Sequence, residues 1–117
     1  MLKVGVVGCG HLGKIHAKLL SQSENYKLIG IYDKDNEESK RVSYEFKCIS
    51  FESFDSLLDS VDVIDIVAPT PFHFNYAKQA INKNKHVFIE KPVCTTSKES
   101  EELIKLGDLK NVKIQVG

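Results

Sequence analysis

The chain has 117 residues, of which 42% are hydrophobic and 27% charged. This balance is typical of one globular domain and excludes a disordered chain. Sixteen Lys and Arg residues balance sixteen Asp and Glu residues, so the formal net charge is zero. No apolar run approaches the about 18 residues of a membrane helix. We therefore expect neither a nucleic-acid partner nor a membrane partner.

The three cysteines indicate a reducing compartment. Cys9, Cys48 and Cys94 form no C-x-x-C pair, and an odd number cannot all pair internally. The N-terminus also lacks the apolar core of a secretory signal. We expect a cytoplasmic protein without a disulfide framework.

Strand and helix signals alternate through the first half of the chain. β-Branched residues predict strands at 2–8 and 28–32. Between them, spacing of i, i+3, i+7 and i+8 predicts a helix whose sheet-facing side carries Leu12, Ile15, Leu19 and Leu20. The Asp35-x-x-Glu38 pattern predicts the start of a surface helix that continues to Lys47.

The middle of the chain continues the alternation. A short strand is predicted at 48–50, a brief helix capped by Ser53 follows, and a strand interrupted by Asp62 and Asp65 spans 61–67. Thr70 is the predicted N-cap of the next helix, with Pro71 at its first position. That helix should turn three side chains inward: Ala77, Ala80 and Ile81.

The last third predicts strand, helix and strand. The strands lie at 86–89 and 112–116, and the helix opens with a capping box at Thr96–Glu99 and ends near Gly107. The whole order predicts an α/β fold, a doubly wound, mostly parallel sheet near 3-2-1-4-5-6 with helices on both faces. Because the chain stops directly after a strand, we expect a fragment of a longer protein.

A glycine motif follows the first predicted strand and opens the first helix. It reads Gly8-Cys9-Gly10-His11-Leu12-Gly13, or G-x-G-x-x-G. Such glycines let the backbone turn tightly and approach a pyrophosphate, which then rests on the N–H groups of the helix N-terminus. A tight turn without a ligand is the alternative, but the strand, helix and acid around the motif favour a Rossmann-type dinucleotide site.

The acid is Asp33, at the end of the second strand and 20 residues after Gly13. A carboxylate there accepts hydrogen bonds from a ribose diol and repels a 2′-phosphate, so NAD is favoured and NADP is the less expected cofactor. Lys34 and Lys40 offer positive charge nearby, although solvated surface lysines are the preferred interpretation of both.

Three motifs in order resemble the glucose–fructose oxidoreductase, inositol dehydrogenase and rhizopine-catabolism (Gfo/Idh/MocA) family of NAD(P)-dependent oxidoreductases. They are the glycine motif, Ala68-Pro69-Thr70-Pro71-Phe72-His73, and Glu90-Lys91-Pro92. The resemblance covers residues 1–117 and implies the family's N-terminal nucleotide-binding domain, without the C-terminal substrate domain. It implies sugars, polyols, inositols or nucleotide sugars as substrates of the whole enzyme.

The resemblance also implies roles for single residues. Lys91 matches the catalytic lysine near the nicotinamide ribose and the substrate hydroxyl, and Glu90 matches a carboxylate that helps to hold the nicotinamide end. Pro92 matches a proline often preceded by a cis bond. Ala68, Pro69, Thr70 and His73 match the lining of the cofactor groove. The alternatives are a solvated Lys91 paired with Glu90, and a His73 that faces water.

The remaining histidines and cysteines receive no ligand role. His16 is predicted to be neutral and half-buried, His11 to contribute its backbone N–H, and Cys9 to be a small structural residue; His86 is assigned nothing. No H-x-x-x-H pair and no zinc-type cysteine spacing occurs, so no metal site is predicted.

Two classes of function stay open. The first is the NAD-binding part of an oxidoreductase acting on a carbohydrate-like alcohol. The second is a dinucleotide-binding module without chemistry, such as a redox sensor or scaffold. A different two-domain dehydrogenase sharing the glycine turn would leave the 68–73 segment unexplained. The sequence leaves open a monomer or a homo-oligomer.

Overall fold

A computed structural model describes all 117 residues of the chain. The six strands are β1 (Leu2–Val7), β2 (Tyr26–Tyr32), β3 (Ile49–Ser50), β4 (Val63–Ile66), β5 (His86–Ile89) and β6 (Ile114–Val116). They form one sheet in the order β3-β2-β1-β4-β5-β6, and every pair of neighbours is parallel. The predicted α/β fold and strand order are therefore confirmed.

Helices cover both faces of the sheet. They are α1 (His11–Ser21), α2 (Asn36–Glu45), α3 (Phe54–Asp59), α4 (His73–Asn82) and α5 (Ser97–Lys110). The larger core cluster joins α3, α4 and α5 to one face, and a smaller cluster joins α1 and α2 to the other. The three predicted inward residues of α4, Ala77, Ala80 and Ile81, are fully buried in the larger cluster. No helix combines the length and hydropathy needed to cross a bilayer.

Three of the predicted helix starts are confirmed. Asp35 caps α2 and accepts hydrogen bonds from the N–H groups of Glu37 and Glu38. Ser53 caps α3 through the N–H of Ser56, and Thr96 caps α5 through the N–H of Glu99. Each short polar side chain satisfies a donor that the first helical turn leaves free.

The predicted start of α4 is wrong. Thr70 is the first residue of a 3-10 turn, Thr70–Phe72, and its side chain caps nothing. The α-helix begins at His73, after that turn. Pro71 favours helical backbone but donates no N–H, and the chain uses it to form the tighter turn first.

The predicted end of α5 is also wrong. Gly107 lies inside the helix, buried, where a Cβ would come within 2.9 Å of the Ile114 side chain. The helix ends at Asn111, which adopts the left-handed conformation with φ 57°. Gly107 therefore serves close packing against β6, and Asn111 supplies the stop.

The apolar face predicted for α1 is wrong for three of its four residues. Leu12, Ile15 and Leu19 are exposed, whereas Gly13 and Ala17 are buried. The helix lies close to the sheet, so the contact positions take the smallest residues. The side chains of Leu12, Ile15 and Leu19 point outward, whereas Leu20 is half-buried and packs against the smaller core cluster.

Candidate functional site

Four of the predicted site segments lie at one edge of the sheet. The glycine turn follows β1, Asp33 and Lys34 follow β2, residues 68–73 follow β4, and residues 90–92 follow β5. Because all strands are parallel, their carboxyl ends share this edge. Open α/β sheets bind ligands in the crevice at this edge, where the strand order reverses beside β1.

The three glycines of the turn meet different constraints. Gly8 has φ 111°, and a Cβ there would approach the Ala68 nitrogen to 2.7 Å. A Cβ on Gly13 would collide with the carbonyl oxygen of Gly8. By contrast, a Cβ on Gly10 would meet nothing within 4 Å. The fold itself requires Gly8 and Gly13, whereas the space beside Gly10 is free for a ligand.

The N-terminus of α1 is open. Gly10 is its N-cap, no side chain caps it, and the first turn carries no acidic residue. The N–H groups of His11, Leu12 and Gly13 donate to no backbone acceptor in the chain. Free N–H groups together with the positive end of the helix dipole can hold a phosphate.

Asp33 is fixed against the glycine turn. One carboxylate oxygen accepts from the N–H of Cys9 at 2.6 Å, and the other accepts from the N–H of Asp35 at 2.9 Å. Each oxygen has a second lone pair for a ribose hydroxyl. The side chain is half-buried, so its charge faces the turn from the β2 side.

Cys9 has the structural role that the sequence predicts. Its side chain is 1% exposed in the core beneath the turn. Burial, followed by the nearby Asp33 carboxylate, raises the pKa of the thiol to about 12. The thiol therefore stays protonated and is a poor nucleophile at neutral pH.

Lys34 has a partner that the sequence analysis missed. Its ammonium lies 3.6 Å from the centre of the Phe72 ring. Lys34 is an exposed surface lysine, as the preferred interpretation has it, and it also forms a cation–π contact. Since Lys34 follows β2 and Phe72 follows β4, this contact crosses the carboxyl end of β1.

His73 is buried, so the interpretation in which it faces water is wrong. Its Nε2 lies 2.6 Å from the Ala68 carbonyl oxygen, and its Nδ1 lies 3.1 Å and 3.0 Å from the Pro92 and Val93 carbonyl oxygens. The ring therefore joins the segment after β4 to the segment after β5. Of the predicted lining, Ala68 and Thr70 are half-buried and Pro69 is exposed.

The segment after β5 presents Lys91 to solvent. Lys91 is exposed, its N–H donates to the Gly117 carbonyl oxygen at 3.2 Å, and the Lys91–Pro92 peptide bond is cis. Glu90 is half-buried, with its Oε1 2.9 Å from Nε2 of His16. The side chain of Lys91 therefore faces solvent, whereas that of Glu90 faces His16.

His16 corrects another prediction. It is half-buried, as predicted, but its Nδ1 lies 2.7 Å from Oδ2 of Asp65 while its Nε2 contacts Glu90. The hydrogen bond with Asp65 raises the pKa of His16, and Glu90 adds to the rise. The two carboxylates therefore favour the charged form of the ring, against the neutral ring that the sequence predicts.

Asp65, which interrupts the predicted strand, has a partner that its sequence position does not identify. The side chain lies in β4 and the residue is 5% exposed. A charged residue inside an otherwise apolar strand needs a partner, and His16 is that partner. For a metal, the structure groups no three His, Cys, Asp or Glu side chains suitably.

Sequence comparison places the chain among known oxidoreductases. Residues 2–117 match the GFO_IDH_MocA family, described as "Oxidoreductase family, NAD-binding Rossmann fold". UDP-N-acetylglucosamine 3-dehydrogenase of Acidithiobacillus ferrooxidans is 34% identical over 116 residues, which cover 99% of this chain and 36% of that protein. Glucose-6-phosphate 3-dehydrogenase of Bacillus subtilis is 31% identical over 117 residues, covering 100% of this chain and 33% of that protein. The chain thus spans about a third of these relatives.

Solved structures agree with the sequence comparison. A crystal structure of the Acidithiobacillus ferrooxidans enzyme superposes with a TM-score of 0.95, covering 99% of this chain and 38% of that one. A protein from gentamicin A biosynthesis in complex with NAD superposes with a TM-score of 0.94 at 25% identity, covering 99% of this chain and 34% of that one. This chain belongs to the Gfo/Idh/MocA oxidoreductase family, as its NAD-binding Rossmann domain.

Proposed function

We propose that residues 1–117 are the nucleotide-binding part of a larger oxidoreductase that acts on a sugar, polyol or nucleotide-sugar hydroxyl. The observation that carries this proposal is the open N-terminus of α1 beside the free space at Gly10. The named relatives support the substrate class, because they act on a nucleotide sugar and on a sugar phosphate. Their greater length supports a second, substrate-binding part.

The glycine turn and Asp33 would hold the adenosine half of the dinucleotide. The free N–H groups of His11, Leu12 and Gly13 would bind the pyrophosphate, and the missing Cβ of Gly10 would let it approach the backbone. Residues Ala68, Pro69 and Thr70 would line the opposite side, held by the buried ring of His73. All these residues lie at the carboxyl ends of β1, β2 and β4, on the same edge of the sheet.

Asp33 supports NAD as the cofactor in preference to NADP. Its carboxylate is anchored by two backbone N–H groups, so it cannot turn away from the position of a ribose 2′ group. A 2′-phosphate there would face a fixed negative charge. The neighbouring cation, Lys34, lies over the ring of Phe72.

Lys91 would accept or donate the proton of the substrate hydroxyl. When bound, the nicotinamide supplies hydride transfer, the chemistry that no side chain of the chain can perform. Lys91 is exposed at the carboxyl end of β5, so its amine can reach a substrate held outside the sheet. Glu90 would hold the nicotinamide end beside it.

Parallel calorimetric titrations of the folded chain with NAD, NADH and NADP test the proposal. We expect NAD and NADH to bind and NADP to bind at least about tenfold more weakly, a difference of about 1.4 kcal/mol. Equal or tighter binding of NADP would contradict the role of Asp33. If the folded chain binds none of them, the open N-terminus of α1 is not by itself a cofactor site.

A second experiment separates an enzyme from a binding module without chemistry. In the full-length gene product, Lys91→Ala should abolish hydride transfer to a sugar-like substrate while leaving NADH affinity unchanged. Lys98→Ala, an exposed lysine in α5, is the matched control and should change neither. Unchanged turnover in Lys91→Ala would contradict the catalytic role of this lysine.

A further inference from the structure

His16 lies between two carboxylates, one in β4 and the other directly after β5. The side chains of His16, Asp65 and Glu90 are 14%, 7% and 27% exposed. Asp65 belongs to β4, Glu90 follows β5, and His16 belongs to α1. One ring therefore ties the helix that follows the glycine turn to the strand end that carries Lys91.

The contacts favour the charged form of the His16 ring. Ionised carboxylates only accept hydrogen bonds, so a ring that bonds to both of them donates from both nitrogens. Burial raises the pKa of Asp65, and its hydrogen bond with His16 opposes that rise. The second oxygen of Asp65 is buried without a hydrogen bond, so His16 is the partner on which this carboxylate depends.

Few other charged groups face the ring. A groove of about 610 Å³ beside α1 is lined by the cluster and by three further titratable side chains, Tyr26, His86 and Lys113. Nδ1 of His86 accepts from the Lys113 N–H, and neither side chain bonds to His16. The Phe88 ring lies 6.0 Å from the His16 ring, centre to centre. The two carboxylates are therefore the groups that govern His16.

We propose that His16 is a positioning residue, which fixes Glu90 and thereby the Glu90–Lys91 segment against the nicotinamide half of the dinucleotide. This role rests on the proposed function. Both ring nitrogens are occupied by carboxylates, so His16 acts through Glu90 and not on the cofactor itself. Because His16 lies on α1, the spacing between the pyrophosphate site and Glu90 is set by one rigid helix.

Two ligands separate positioning from folding. ADP-ribose carries the adenosine and the pyrophosphate but lacks the nicotinamide, so it does not depend on Glu90. We expect His16→Ala to weaken NADH about tenfold, the effect of one lost charged hydrogen bond, and to leave ADP-ribose affinity unchanged. His16→Gln keeps one donor and should lie between His16→Ala and the wild type.

Lys18→Ala is the matched control, since Lys18 is an exposed residue of the same helix. It should bind both ligands as the wild type does. Equal weakening of both ligands in His16→Ala would indicate a purely structural residue and overturn the proposal. Unchanged affinity for both would overturn it as well.

A measurement without ligand tests the positioning role of His16 independently of cofactor binding. In the ¹⁵N-labelled chain, the His16 ring nitrogens report its titration, and the Glu90 and Lys91 amides should shift with the same midpoint. His16→Gln should abolish that shift. Amides that titrate independently of His16 would overturn the proposal even if NADH binds. If the wild type binds neither ligand, the dinucleotide function and the cofactor role of His16 fall together, while a shared midpoint still establishes that His16 orders Glu90.

Discussion

The N-termini of α1 and α2 lie at the same sheet edge, after neighbouring parallel strands, yet they are built differently. Asp35 caps α2, accepting from the N–H groups of Glu37 and Glu38 at 3.1 Å and 3.2 Å, and both glutamates lie in the first turn. The cap of α1 is Gly10, which has no side chain, and its first turn carries no acid.

Under the proposed function, this difference separates a structural helix start from one that binds a ligand. The positive end of α2 is neutralised by the chain's own carboxylates, whereas the cap and first turn of α1 supply no carboxylate. Ser53 and Thr96 cap α3 and α5 in the manner of α2. A pyrophosphate would supply at α1 what a side chain supplies at those three helices.

Gly13→Ala should have the largest effect, because it breaks the turn itself. The new Cβ collides with the Gly8 carbonyl oxygen, which is a backbone atom and can move only if the turn itself changes conformation. We expect the free energy of unfolding to fall by about 3 kcal/mol, measured by urea denaturation. NADH binding should be lost with the turn. A variant as stable as the wild type would show that the turn can accommodate a Cβ at position 13.

Gly10→Ala should damage binding and spare the fold. Its Cβ enters open space, and φ of −65° suits alanine. The unfolding free energy should fall by less than about 1 kcal/mol. NADH affinity should fall at least about tenfold, because the methyl group occupies the approach of the pyrophosphate. Calorimetry beside urea denaturation measures both, and undiminished affinity would count against a ligand at Gly10.

Asp33→Asn should change the choice of cofactor. The amide oxygen can still accept from the Cys9 N–H, so the contact with the turn is kept, but the negative charge and the hydrogen bond from the Asp35 N–H are lost. The ratio of NADP to NAD affinity should rise about tenfold. Parallel titrations of the two cofactors measure it. A ratio equal to that of the wild type would mean that Asp33 does not face the 2′ position.

Asp35→Ala is the counterpart at α2. Removing this cap leaves the N–H groups of Glu37 and Glu38 unpaired, so the unfolding free energy should fall by about 1 kcal/mol. NADH affinity should be unchanged, since α2 has no ligand. Weaker NADH binding would mean that α1 and α2 do not divide their roles in this way.

The pH dependence of stability should show the smallest difference. The pKa of His16 is raised in the folded chain, chiefly by its hydrogen bond with Asp65. Folded His16 thus holds its proton more tightly than unfolded His16. Its contribution is complete below pH about 6.5 and is lost as the pH rises through the folded pKa.

Urea denaturation between pH 6 and pH 9 measures this loss, with His16→Gln as the comparison. The wild type should lose more stability over the range than the variant. Parallel curves for the two proteins would show that His16 does not titrate within its pair. His11→Gln, which changes an exposed histidine of α1, should behave as the wild type does.

The sequence predicted the sheet order and the glycine turn because both depend on local patterns. Strand and helix signals alternate, and right-handed crossovers then leave few topologies. The roles of Gly8 and Gly13 also follow from the motif, since the turn needs them whatever lies above it.

Side-chain direction and distant partners could not be predicted in the same way. Periodicity placed Leu12, Ile15, Leu19 and Leu20 against the sheet, but only Leu20 of these packs on the core, and Gly13 and Ala17 take the closest contact positions. Spacing along the chain gives no hint that His16 meets Asp65, 49 residues away. Such pairs depend on tertiary packing, and the spacing of residues along a helix does not identify contacts between distant segments.

An NMR titration of the ¹⁵N-labelled chain with ADP-ribose tests the contrast between the two helices most directly. We expect large shifts of the amide resonances of His11, Leu12 and Gly13, and none for those of Asn36, Glu37 and Glu38. Two results at saturating ADP-ribose would contradict the assignment of α1 as the phosphate-binding helix. One is unchanged amide resonances in α1, and the other is equal shifts of the amide resonances in α1 and α2.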